Sequence, residues 1–101
     1  MKNGYKLLWT NHALKELEDT ISYLEENWTD KELQNLAIKM EETLLLISHN
    51  PNLFQVSEAK KDIRRVVILT YNTLYYRVKN NQIEIISLFS NRQNPKKRKL
   101  K

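Results

Sequence analysis

IRRVVILTYNTLYYRVKNNQIEIISLF, residues 63–89, decides the fold. Ile63 to Leu69 is rich in β-branched residues, and Thr73 to Lys79 alternates so that Leu74, Tyr76 and Val78 share one face. Asn80-Asn81 between two such runs suits a two-residue hairpin turn, because asparagine tolerates positive φ better than most residues. Gln82 to Phe89 then returns as a third strand, with Thr70-Tyr71-Asn72 as the first turn. The reading is an antiparallel meander, and one strand of it places Thr73, Tyr75 and Arg77 opposite its apolar side. Either Arg64 or Arg65 must join that second face, and the pattern does not choose between them.

Upstream the period changes from two to 3.6. Tyr5 to Trp9 is a short apolar run ending at Thr10, a good N-cap, after which Ala13, Leu14, Leu17, Ile21, Leu24 and Trp28 form an amphipathic stripe. Thr29 and Glu32 stand in capping-box spacing ahead of a second stripe, Leu33, Leu36, Ala37, Met40, Leu44 and Ile47. That helix should stop before Asn50-Pro51, since a residue preceding proline disfavours helical geometry. The few residues between the stripes make the helices an antiparallel hairpin. Leu53 to Val56 suits a further short strand, and Ser57 to Asp62 a charged loop. The expected fold class is α+β, ordered β-α-α-β-β-β, with an antiparallel sheet and the helical hairpin packed on one face.

Charge divides along the same line. Residues 10–50 hold three Lys/Arg against nine Asp/Glu, whereas residues 51–101 hold twelve against three. Six of the basic side chains (Arg92, Lys96, Lys97, Arg98, Lys99, Lys101) fall in the last eleven residues, so the body is near neutral and phosphate binding would be local and salt-sensitive. One domain over residues 1–95 with a basic tail over 96–101 is the expected organisation. The absence of cysteine excludes disulfides, thiolate metal sites and a cysteine nucleophile. No run of about 18 apolar residues occurs and Met1-Lys2-Asn3-Gly4 has no apolar signal core, so a cytoplasmic protein is expected. His12 and His49 sit on the acidic hairpin without suitably spaced acidic partners, which argues against metal binding and against general-base catalysis by either. No cofactor or metal is expected.

The order of these pieces resembles the RelE/ParE superfamily of bacterial type II toxins. The resemblance runs through Tyr5-Lys6-Leu7-Leu8-Trp9-Thr10 with Ala13 and Leu17, the helix-ending Pro51, Arg64-Arg65, Tyr71 with Tyr75-Tyr76-Arg77-Val78, and Ile83-Glu84-Ile85-Ile86 leading to Asn91-Arg92-Gln93-Asn94-Pro95. Two long helices after the first strand make the ParE branch the closer likeness. That branch implies an inhibitor of DNA gyrase held by a cognate antitoxin, of the kind linked to plasmid stabilization, and not an enzyme. The RelE branch implies instead a ribosome-dependent endoribonuclease acting on mRNA; a toxin-derived binding protein without activity is the third alternative. A nuclease would draw on Arg64, Arg65, Arg77, Arg92 and Tyr75. Its usual arginine in the tyrosine-bearing strand would stand near Asn72 or Thr73, neither of which can stabilise phosphorane charge as a guanidinium can. Partner binding is expected at Arg65, Tyr75, Arg77, Arg92, Lys96 and Lys97.

Overall fold

The computed structural model describes residues 4–27, 29–58, 60, 62–69 and 72–90. Trp28, Tyr71, Arg92, Lys96 and Lys97 lie outside the described residues. The element order is β1 (Lys6–Trp9), α1 (Asn11–Asn27), α2 (Asp30–His49), β2 (Arg64–Ile68), β3 (Asn72–Lys79) and β4 (Gln82–Ser90). The sequence Leu53 to Val56 forms no strand of its own; it contributes one isolated bridge, Val56 to Arg64.

Both helices begin at the threonines that mark them. The Thr10 hydroxyl accepts from the Ala13 N–H (3.1 Å), and the Thr29 hydroxyl accepts from the Glu32 N–H (3.4 Å), each satisfying a first-turn donor that has no partner inside the helix. Thr10 also donates to the carbonyls of Ile85 and Ile86 (3.1 and 3.2 Å), so one residue caps α1 and ties it to β4.

The sheet order is β1-β4-β3-β2. β2, β3 and β4 form the expected antiparallel meander, with Asn80 at φ 58° in its tight turn. The first strand corrects the expectation of a wholly antiparallel sheet: β1 runs parallel to β4, pairing Lys6 with Gln82 through Trp9 with Ile85. The helical hairpin between β1 and the meander is the crossover that parallel pairing requires, and a sequence of elements alone does not show which edge β1 joins.

A bulge on β4 sets the core. Tyr75 pairs with Ser87 but Tyr76 pairs with Ile85, leaving Ile86 as the extra residue. Inward side chains therefore change phase, from Ile83 and Ile85 to Leu88, all fully or almost fully buried. They meet Leu74, Tyr76 and Ile68 on the sheet and Ala13, Leu24, Leu36, Met40 and Ile47 from the helices.

Gly4, the chain's single glycine, lies against the end of α2. A Cβ there would fall 2.6 Å from the Ser48 carbonyl oxygen, while the Tyr5 N–H donates to that same oxygen at 2.7 Å. Gly4→Ala is expected to destabilise the fold by about 1–3 kcal/mol, because backbone must move to admit the methyl group. Urea denaturation of the two proteins measures the difference.

Candidate interaction face of the sheet

Strand alternation sets three cross-strand rows opposite the core side of the sheet, the Ser87 hydroxyl nonetheless donating to Glu16 of α1 at 2.6 Å. Val67, Thr73 and Phe89 form the first, Arg65, Tyr75 and Ser87 the second, and Arg77 with Glu84 the third. Register settles the question of adjacent arginines. Arg65 stands opposite Tyr75 on this face, whereas Arg64 stands opposite Tyr76 on the core side. There Arg64 donates through Nη1 to the Phe54 carbonyl at 2.7 Å, which spends its guanidinium on holding the 53–56 segment against β2.

Arg77 is on the face but not free. Its Nε and Nη2 donate to Glu84 Oε1 at 3.2 and 3.1 Å, and its Nη1 reaches Asp62 Oδ2 at 3.4 Å. These bonds hold the guanidinium pKa above its ordinary value, the Glu84 bond contributing most and Asp62 next. Two carboxylates thus stand against one cation at this end of the face. Among the described residues no carboxylate pairs with Arg65, so the cationic character of the rows is concentrated there. Asp62 and Glu84 were not among the residues singled out by sequence, though a two-residue turn at 80–81 sets Glu84 directly across from Arg77.

The remaining candidates separate. Tyr75 is half-buried beside Arg65 on the outer face. Tyr76 is fully buried, and its hydroxyl donates to the Pro51 carbonyl at 2.8 Å. Asn72 is fully buried and Thr73 nearly so; neither presents a cation at the position where a nuclease of this fold class would place its arginine. His12 sits at 3.3 Å from Glu16 on α1, and His49 Nδ1 lies 3.1 Å from the Leu45 carbonyl at the end of α2; both lie on the helical hairpin. Among the described residues no cluster of His, Asp and Glu is arranged to hold a metal ion.

The fold has counterparts among known proteins. The family model for the ParE toxin of the type II toxin-antitoxin system, parDE, matches residues 7–95. The chain belongs to the ParE toxin family. No curated protein matches this ParE-family chain. Among solved structures it is similar to the chromosomal ParDE TA system from P. aeruginosa, at TM-score 0.70 and 17% identity over 85% of this chain and 95% of that one. The YoeB/ParE toxin from Agrobacterium tumefaciens follows at 0.62 and 14%, over 84% and 96%. The YoeB-YefM complex from Staphylococcus aureus superposes at 0.57 and 20%, over 84% and 94%. At such identities the likeness to these structures is one of fold. Among the described residues of this ParE-family chain, no helix is long and apolar enough to cross a membrane.

Proposed function

We propose that this ParE-family toxin acts in the cytoplasm by binding and inhibiting DNA gyrase, without nuclease activity, and that a cognate antitoxin neutralises it. The state of Arg77 carries this reading. Stabilising a phosphorane needs guanidinium groups directed at the phosphate, and Arg77 is already committed to Glu84 and Asp62. Asn72 and Thr73 supply no substitute. What the face does offer is a contact surface: a cation at Arg65 that no carboxylate among the described residues pairs with, an aromatic neighbour at Tyr75, and exposed apolar Val67 and Phe89. An extended antitoxin segment with apolar and acidic side chains fits that chemistry, with Arg92, Lys96 and Lys97 as further cations toward the C-terminus.

Ribosome-dependent mRNA cleavage is the second reading, and the Arg65–Tyr75 register pair is what favours it. The two are separated by one purified protein and two assays. Gyrase supercoiling should be inhibited, while primer extension on mRNA after induction should show no new ends. Codon-phased cuts that disappear in Arg65→Ala would reverse the order of the readings. Soluble, folded protein that leaves both gyrase and growth untouched would point to a binding protein without toxicity.

A further inference from the structure

We propose that Asp62 stands in for a partner's carboxylate on one edge of the Arg77 guanidinium, and that an extended acidic segment binds the outer face by displacing it. This rests on the sheet-face reading above and names the chemistry by which that face recognises its partner.

Two carboxylates meet Arg77, and they are unequal. Glu84 lies directly across from it in the β3–β4 register, its side chain only 29% exposed, and accepts from both Nε and Nη2. Asp62 precedes β2 by two residues, is 62% exposed, and meets Nη1 alone at 3.4 Å. An exposed pair of that kind adds little, because water and salt compete for both charges. Glu84 is therefore the fixed partner and Asp62 the replaceable one, since rotation about its own side-chain bonds frees Nη1.

Position and charge select the occupant. β3 turns Tyr75, Arg77 and Lys79 to the outer face at alternate positions; Arg65 stands across from Tyr75, and Gln82 and then Lys6 continue the row of Lys79. Arg65, Arg77, Lys79 and Lys6 thus form a line of cations across the face. Among the described residues, Arg77 is the one of these four with a carboxylate at ion-pair distance. An extended segment laid over the line presents every second side chain to it, about 6.6 Å apart, which is the repeat of Tyr75, Arg77 and Lys79 themselves. Acidic residues at alternate positions meet Arg65, Arg77 and Lys79 in turn, and the middle one finds Asp62 already in its place. After the exchange Arg77 still carries Glu84. One carboxylate has replaced another, and no net charge is released for a phosphorane.

The test uses the full chain and a fluorescein-labelled peptide with three glutamates at alternate positions between threonines, the peptide with glutamine in their place being the control. At about 0.1 M salt, where screening acts over about 10 Å, Asp62→Asn should bind the glutamate peptide about two- to fivefold more tightly than the unsubstituted protein by fluorescence anisotropy. Asp19→Asn makes the same change of charge on α1, away from the face, and should give a clearly smaller gain. In an Arg77→Gln background the Asp62→Asn gain should vanish, as a double-mutant cycle requires of a contact made through Arg77. The Arg77 Nε–H resonance of the unsubstituted protein should shift with the glutamate peptide and not with the glutamine one, a readout that survives if Arg77→Gln fails to fold. An Asp62→Asn gain that is absent, matched by Asp19→Asn, or retained without Arg77 would overturn the proposal, as would an Arg77 resonance that does not move. Gyrase inhibition is measured separately, so either result can fail while the other stands.

Discussion

Tyr76→Ala is expected to lower stability by about 3–5 kcal/mol, whereas Tyr76→Phe should cost only about 1 kcal/mol. Tyr76 is the largest of the fully buried side chains among the described residues, set between Leu74 and Val78 on β3 and facing Ile85 across the sheet. Removing its ring deletes core contacts and leaves a void beneath the hairpin; removing the hydroxyl alone takes away the bond to the Pro51 carbonyl. Set against a total of about 5–15 kcal/mol for a domain, the alanine variant sits near the limit of folding. Its thermal midpoint should fall by more than about 12 °C. The phenylalanine variant separates ring from hydroxyl, and a loss of equal size in both would show that the hydrogen bond, not packing, carries the site.

The same residue gives a pH signature. Burial raises the Tyr76 phenol above 10.0, with the Arg64 charge pulling the other way. The folded state therefore holds its proton more tightly than the unfolded chain. That contribution is fully present below about pH 10 and is lost as pH climbs from the unfolded value through the folded one. Tyr76→Phe should flatten this part of the alkaline limb in a stability-against-pH profile, relative to the unsubstituted protein.

Glu16→Ala is the second large effect, at about 2–3 kcal/mol. β1 stops at Trp9, so the edge of β4 beyond Ile85 has no strand beside it. Glu16 from α1 takes the place of the missing strand: its Oε1 accepts from the Leu88 N–H at 2.8 Å and from the Ser87 hydroxyl at 2.6 Å. Its other oxygen lies 3.3 Å from His12 Nε2. An alanine leaves a half-buried backbone donor unpaired and loosens α1 from the sheet, which is more costly than losing an exposed ion pair. Glu16→Gln keeps an oxygen for one donor and should recover part of the loss. Ser87→Ala should cost about 1 kcal/mol, and chemical denaturation of the single and double variants gives the coupling between the two groups. A Glu16→Ala protein as stable as the parent would show that the β4 edge is satisfied by water instead.

Local rules read most of the framework correctly because each signal lies within a few residues of its consequence. Thr10 and Thr29 cap the helices they precede, α2 ends at His49 before Asn50-Pro51, and Asn80 adopts the left-handed backbone that its turn demands. Alternation placed Tyr76 inward and Tyr75 outward. Within β4 a continuous period from Ile83 would bury Ser87 and Phe89, whereas the bulge at Ile86 moves Leu88 inward; a bulge has no signature in a single run of apolar residues. Alternation left open which of Arg64 and Arg65 joins Arg77 on the outer face; register places Arg65 there and Arg64 on the core side, and sets Glu84 across from Arg77.

The chain's own order of residues determined the elements, their caps and turns, and the division into an acidic hairpin and a basic meander, since these follow from periodicity and side-chain chemistry over short spans. The tertiary structure alone decided that β1 lies parallel to β4, that Glu16 closes that strand's open edge, that Gly4 must fit against Ser48, and that Arg64 turns to the core side while Arg65 stays on the outer face. Those outcomes join positions tens of residues apart. They depend on register and on which edges are left exposed, and neither is defined until the layers have packed.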